Sequence, residues 1–329
     1  MSEITATSVP IAWHPGLSVY ASEAFLRSVG DTYGWIGGRD QKGVLRCVLP
    51  YTVVRKAFLR MVRFRVETIP LFDDFGVEEE RAFLNSVVTY FRKTGADMII
   101  PATTNTIFRT FPEGAIAAPY GSYIIDLSQS EETLLANLHS KHRNVLRNAI
   151  KKGVLIRSGL EFLPVAHQLV RDTVGRSNLG FMSYADFERF VSSLGQNVKV
   201  FIAEHEGIIQ GCAVIPYSTH SAYYLYGGSI PEPQTGAMQL LQWEAMRSFR
   251  ALGVGRYDFV GVRINPRKGS KQQGLKQFKE RFGGRLAKGY IWKLGFNPVK
   301  FALYSVAARI RSGGDIVDQE RYTVTNGSR

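Results

Sequence analysis

The chain contains the same order of elements twice, and this duplication constrains its fold more than any other feature. GVLRCVLPY (43–51) and GIIQGCAVIPY (207–217) each open on a glycine after a charged turn, run apolar through a cysteine and end in Pro-Tyr. Each reads as the second arm of a β-hairpin, with WIGGRD and VKVFIAEHE as the first arms. The match continues downstream. Residues 78–94 and 237–252 have the apolar spacing of amphipathic helices and are stopped by Gly95 and Gly253. ADMII (96–100) and RYDFV (256–260) follow as strands. Short helical segments ending in FPEG (111–114) and FGG (282–284) come next, then the strands GSYIIDL (121–127) and KGYIWKL (288–294). Chance hairpins do not reproduce a whole series of elements, and the period is far longer than that of a solenoid repeat. The expected fold is therefore α/β. It has two tandem copies of one unit, each a mixed, mostly antiparallel sheet flanked by helices. The boundary is placed between residues 1–155 and 156–329, in keeping with a length that suggests two domains.

Between the copies, residues 128–153 read as one helix, with Ser128 and Glu131 in capping-box spacing. On it Arg143, Arg147 and Lys151 recur every four residues and form one basic stripe. Ser183 with Asp186 opens a shorter helix, 183–194. Residues from about 312 onward read as a polar, frayed tail.

Charge is segregated along the chain. The net charge is +13. Residues 55–65 hold five bases and no acid, residues 134–157 six bases and no acid, and residues 256–300 twelve bases against Asp258 and Glu280. Together these tracts exceed the charge of the whole chain, so the remainder is net acidic. A single basic tract is most simply a solvated face; three against an acidic background favour a polyanionic partner. The first tract mixes bases with apolar residues, which allows peripheral contact with an anionic membrane, although an exposed hairpin strand is the plainer reading. No apolar run is long enough to span a bilayer. The first residues lack a secretory pattern, so a cytoplasmic location is expected.

Several chemistries lack their residues. Two cysteines exclude a disulfide scaffold or a cysteine-rich metal site, and the six histidines have no metal-ligand spacing. Neither a GxSxG elbow, a GxGxxG turn nor a Walker A lysine motif occurs. Cys47 and Cys212 sit at equivalent apolar strand positions and read as core thiols. What remains is chemistry done by positioning an activated substrate.

YYLYGGS (223–229), LLQWEAMRSFRALGVGRYDFVGV (240–262) and GLKQFKERFGG (274–284) resemble the C-terminal half of the FemABX family. LHSKHRNVLRNAIKKGV (138–154) is similar to that family's inter-domain helix. These are non-ribosomal aminoacyltransferases with two tandem GNAT-type domains, which matches the duplication. The resemblance implies transfer of an amino acid from aminoacyl-tRNA to an amine acceptor, with no cofactor or metal required. It places Phe278 and Lys279 at the family's FK pair, with Lys279 at the developing oxyanion or the tRNA 3′ end and Phe278 as its support. The plainer reading of Lys279 is a surface lysine on a basic helix. Tyr224 and Tyr226 share a strand face by spacing; the resemblance puts them beside the acceptor, and sheet-face packing is the alternative. Asp258, at the end of its strand, is a candidate to orient the acceptor amine or take its proton, or else a structural hydrogen-bond acceptor. Arg143, Arg147, Lys151 and Lys276 are candidate tRNA phosphate contacts. Segments 67–76 and 99–104 depart from the pattern of relatives that bind a muropeptide acceptor, so the acceptor stays open among peptidoglycan precursors, polysaccharide amines and small metabolites.

Two other readings compete. One is a GNAT N-acyltransferase using acyl-CoA, with Gly236 in PQTGAMQ (233–239) at a phosphate-binding helix start. The other is an inactive binding protein or membrane adaptor. Oligomeric state is not legible.

Overall fold

The computed structural model describes residues 4–177 and 179–326, with side chains through residue 322. The first unit contains β1 (Thr5–Val9), α1 (Glu23–Val29), β2 (Thr32–Arg39), β3 (Leu45–Lys56), β4 (Leu59–Phe64), β5 (Ile69–Pro70), α2 (Val77–Lys93), β6 (Met98–Ile99) and β7 (Ile116–Asp126). Helices α3 (Glu131–Asn137) and α4 (Ser140–Lys151) lead into the second. There follow β8 (Leu155–Ser158), α5 (Leu163–Gly175), α6 (Tyr184–Ser193), β9 (Val198–His205), β10 (Ile208–Pro216), β11 (Ala222–Tyr223), β12 (Tyr226–Ser229), α7 (Ala237–Ala251), β13 (Arg256–Asp258), α8 (Lys271–Glu280) and β14 (Arg285–Gly295). The last helices are α9 (Pro298–Ser312) and α10 (Ile316–Asn326).

The duplication is present. β2–β3 and β9–β10 are antiparallel hairpins whose glycines, Gly43 and Gly207, both take left-handed φ angles. Cys47 and Cys212 are both fully buried. Helix α2 starts with Glu78, Glu79 and Glu80 and ends with Arg92 and Lys93, so both ends oppose the helix dipole. Its Phe83, Leu84, Val87 and Phe91 face the core of the first unit. Leu241, Ala245, Met246 and Phe249 of α7 do the same in the second.

The boundary between 155 and 156 does not separate the sheet. Ten strands form one sheet in the order β1-β2-β3-β4-β6-β14-β7-β13-β11, with β5 added to β3. The other four strands run β12-β10-β9-β8. The last strand of each unit has crossed over. β14 pairs with β6 of the first unit, and β7 pairs with β13 of the second. The two exchanged strands pair with each other from Arg285↔Ile124 to Lys293↔Ile116. A second crossing is made by Val19, Tyr20, Phe25 and Leu26, which pack with Phe187, Val200 and Cys212.

Four local expectations are corrected. Residues 128–153 form two helices, because the His139 N–H donates to the Arg281 carbonyl (2.9 Å) and diverts the chain at Leu138–His139. Ser130, not Ser128, caps α3; Ser128 bonds to Asp126 instead. The segment ending in FPEG is built of turns and a bridge, not a helix. Finally, the polar tail contains α10, seated on β7 with Val317 fully buried. Lys293 anchors its start through Asp315 (2.7 Å), just before the helix, and Asp318 (2.6 Å), in its first turn. Residues 327–329 lie outside the described residues.

Candidate active site

The two sheets part within residues 222–229. β11 runs parallel to β13, with Tyr223 opposite Asp258, whereas β12 runs antiparallel to β10, with Tyr226 opposite Val214. The strand leaves one sheet for the other between Tyr223 and Tyr226, which breaks the two-residue alternation. Tyr224 and Tyr226 therefore do not share a face. The Tyr224 ring meets Phe259 edge-on at 6.1 Å, in the α7 core. The Tyr226 ring sits among Phe181, Phe187 and Phe190 at 5.2, 5.8 and 6.0 Å. Burial raises both phenols, Tyr226 to about 12 and Tyr224 further.

Asp258 ends β13 at this fork and is buried. Its Oδ1 accepts a short hydrogen bond from the Ser122 hydroxyl of the exchanged strand β7 and another from the Val260 N–H (2.7 Å). Burial raises its pKa, while Ser122, the Val260 N–H, Arg256 and Lys279 pull it back. The turn that follows has φ of +49° at Val260 and +56° at Gly261. A left-handed β-branched valine is strained and persists only where its surroundings hold it. The holder is Lys279, whose Nζ donates to the carbonyls of Val260 (2.5 Å) and Gly261 (2.6 Å). One turn earlier on α8, Lys276 Nζ donates to the Ile264 carbonyl (2.9 Å). These two ammoniums of α8 thus grip the segment leaving β13. Burial depresses Lys279 to about 8, partly opposed by Asp258. A solvated surface lysine is not what the structure holds at 279.

Phe278 braces this helix. Its ring lies 5.6 Å from His142 and 5.2 Å from Phe282, and its carbonyl bonds the His142 Nε2 (3.1 Å). The basic stripe of α4 is divided. Arg143 turns its Nη1 onto the carbonyls of Ala136 (2.8 Å) and Leu138, closing the end of α3. Arg147 and Lys151 are exposed. Gly236 starts α7 at φ +89°, and a Cβ there would lie 2.2 Å from the Val145 carbonyl oxygen. Close packing of α7 on α4 accounts for that glycine.

A buried polar layer behind the fork was not found by sequence reasoning. Arg65 follows β4 and is buried; it donates to Thr52 Oγ1 (2.9 Å) and to the Val29 carbonyl (2.7 Å). No carboxylate lies within ion-pair reach of it among the described residues. Burial, reinforced by Arg63, lowers it to about 9. Arg256 Nη2 lies 3.9 Å from Glu67 Oε1. Tyr223 donates to Ser18 Oγ (2.8 Å), and the Tyr20 hydroxyl beside it has no hydrogen-bond partner among the described residues. The signal in the sequence is the alternation of Arg63, Arg65 and Glu67 with Phe64 and Val66 at and beyond the end of β4. Among the described residues no cluster of three or more His, Cys, Asp or Glu side chains is arranged to hold a metal. No helix among them is long and apolar enough to cross a membrane.

Comparisons with known proteins bear on the family and the fold. The model of the FemAB family matches residues 114–207 and 206–309, more than half of the chain. A Lipid II:glycine glycyltransferase of Staphylococcus epidermidis is 33% identical over 87 residues, which are 26% of this chain and 21% of that protein. Its counterpart in Staphylococcus haemolyticus is 34% identical over 89 residues, with the same coverage. The match thus spans about a fifth of the length of these relatives. Among solved structures, FemX superposes with a TM-score of 0.68 at 16% identity, over 91% of this chain and 99% of that one. L-PGS from Bacillus licheniformis gives 0.50 at 13% identity, over 88% and 92%. These two likenesses show the fold.

Proposed function

The chain belongs to the FemAB family, and on that footing we propose that it moves an amino acid from aminoacyl-tRNA to an amine on a peptidoglycan precursor, forming an amide. The observation that carries this reading is the Lys279 ammonium, sunk beside Asp258 on the strained turn after β13. An ammonium has three donors. The carbonyls of Val260 and Gly261 take two, and the third remains for an oxyanion. The ester of the donor is already activated. The acceptor amine attacks its carbonyl carbon, the C–N bond forms, and the C–O bond to the ribose breaks. Charge gathers on the carbonyl oxygen in between, where a fixed cation in a poorly solvated site stabilises most. Asp258, raised by burial, receives the proton that the amine loses and returns it to the leaving ribose oxygen. Arg147 and Lys151 are exposed on α4 and suit donor phosphates; Arg143 and Lys276, already bonded to carbonyls, serve the scaffold. The unpaired buried Arg65 suits an anionic group on the acceptor. The staphylococcal relatives are named for glycyl transfer with Lipid II, which supports a lipid-linked precursor as that acceptor.

The direct test is transfer of a labelled amino acid from charged tRNA to a muropeptide acceptor. Transfer that disappears with ribonuclease is expected. Full activity with acetyl-CoA and no tRNA would replace this reading with the acyl-CoA one.

Lys279 also sets a pH dependence. It carries its charge below about 8 and loses it above. The rate of transfer, corrected for spontaneous ester hydrolysis, is expected to fall as pH rises through about 8. Unfolding does not produce this limb. A lysine whose folded pKa lies below its unfolded 10.5 makes the protein more stable, not less, between those values. Lys279→Arg keeps its charge and is expected to lose the limb; an unchanged limb would remove Lys279 as its origin.

A further inference from the structure

Helix α9 is built the wrong way round for a helix that meets water. Asn297 caps it and Pro298 opens it. Lys300 and its two aromatic residues face inward: Lys300 reaches Asp97 (2.8 Å), Phe301 closes on Gly295, and Tyr304 donates to Asp315 (3.2 Å). Its outward stripe is apolar. Val299, Leu303, Val306 and Ile310 are 70%, 50%, 57% and 82% exposed, at intervals of four, three and four residues. A surface helix ordinarily puts charge on that face.

The stripe has a neighbour. The turn between β3 and β4 is tight, with Ala57 left-handed, and it projects Phe58, 62% exposed. The Lys300 ammonium donates to the Phe58 carbonyl (3.1 Å), so hairpin tip and helix are held side by side. Bases flank the apolar residues. Arg55 and Lys56 are exposed at the tip, and Arg309 and Arg311 at the end of α9. Neither segment contains an acid. The acids beneath are occupied, Asp97 by Lys300 and Asp315 by Lys293, and Asp31 accepts the Arg55 backbone N–H.

We propose that α9 and the β3–β4 tip form a docking face for an anionic lipid bilayer. The apolar stripe enters the boundary between headgroups and acyl chains, and the flanking bases meet lipid phosphates. Fifteen residues span about 22 Å at 1.5 Å each, too short to cross the apolar layer, so the helix lies in the plane of the surface. A second copy of the chain fits the face less well, since a two-fold contact would bring arginine towards arginine. The surface is independent of the transfer chemistry proposed above.

The test is flotation of the full chain with vesicles of equimolar phosphatidylglycerol and phosphatidylcholine, against vesicles of phosphatidylcholine alone. Binding to the anionic vesicles that weakens with salt is expected. Leu303→Glu with Ile310→Glu is expected to lower the partition coefficient at least about tenfold. Circular dichroism and transfer to a soluble acceptor should stay unchanged, because both side chains point away from the protein. Arg309→Gln with Arg311→Gln should lose the preference for anionic lipid. Three outcomes would each overturn the proposal: no binding by the wild type, equal binding by the glutamate variant, or a wild-type dimer that this variant dissolves without lipid.

Discussion

Lys279→Ala is expected to lower kcat for amide formation about 100- to 1,000-fold, the usual effect of removing one donor to a developing oxyanion. KM for the charged tRNA should change little, because Arg147 and Lys151 lie on another helix. The substitution also frees the Val260 and Gly261 carbonyls, so a purely structural role needs separating from a chemical one. Three readouts do this. Lys279→Arg should restore part of the rate and abolish the falling limb near pH 8. A small alkylammonium ion added to Lys279→Ala should rescue activity by occupying the space left behind. This set of three effects is not expected of a residue that merely holds a turn. If Lys279→Ala keeps wild-type kcat, the oxyanion assignment is wrong and the acyl-transfer centre lies elsewhere.

Gly228→Ala is expected to cost about 3 kcal/mol of stability, at the top of the usual range for overpacking. Gly228 lies on β12 opposite the buried Cys212. A Cβ there would sit 2.4 Å from the Leu169 carbonyl carbon and 2.5 Å from the Val170 nitrogen. Both belong to the backbone of α5, so no side chain can swing aside; the helix itself has to lift from the sheet. The midpoint of urea unfolding should fall with an unchanged slope. Gly175→Ala, on the same α5, supplies the contrast. Nothing lies within 4 Å of its would-be Cβ, and alanine is the better helix former, so a gain of up to about 1 kcal/mol is expected. Equal stability of the two variants would mean that α5 does not press on β12 as described.

The legible part of this fold was the part written locally. Hairpins, the helices α2 and α7 and the equivalent cysteines follow from spacing and glycine punctuation. The pairing of β7 and β14 does not. Periodicity states that a strand exists, not which neighbour it will find, and the partners of β7 lie more than a hundred residues away. The same limit applies to the site. Asp258 and Lys279 are legible as candidates, but their burial is not, and neither is the hydrogen bond that Asp258 accepts from Ser122, on a strand assigned to the other unit. Tyr224 and Tyr226 were misplaced because an alternation rule assumes an unbroken strand, and this one changes sheets midway. The outward apolar face of α9 is not legible, because a helix with one apolar stripe looks the same in sequence whether the stripe points in or out.

The crossed last strands also bear on how the chain comes into being. A nascent chain grows from its N-terminus, and a unit closed by its own strands would be free to fold while the remainder was still being made. Here the outer edge of β6 waits for β14, and β7 finds β13 only after residue 258, and β14 only after residue 295, has left the ribosome. Until then β6 is paired on one edge only, by β4, and β7 lacks β14, and long-range pairing of this kind is slow. Truncation anywhere before β14 should therefore yield not half of a working protein but an open sheet seeking an edge.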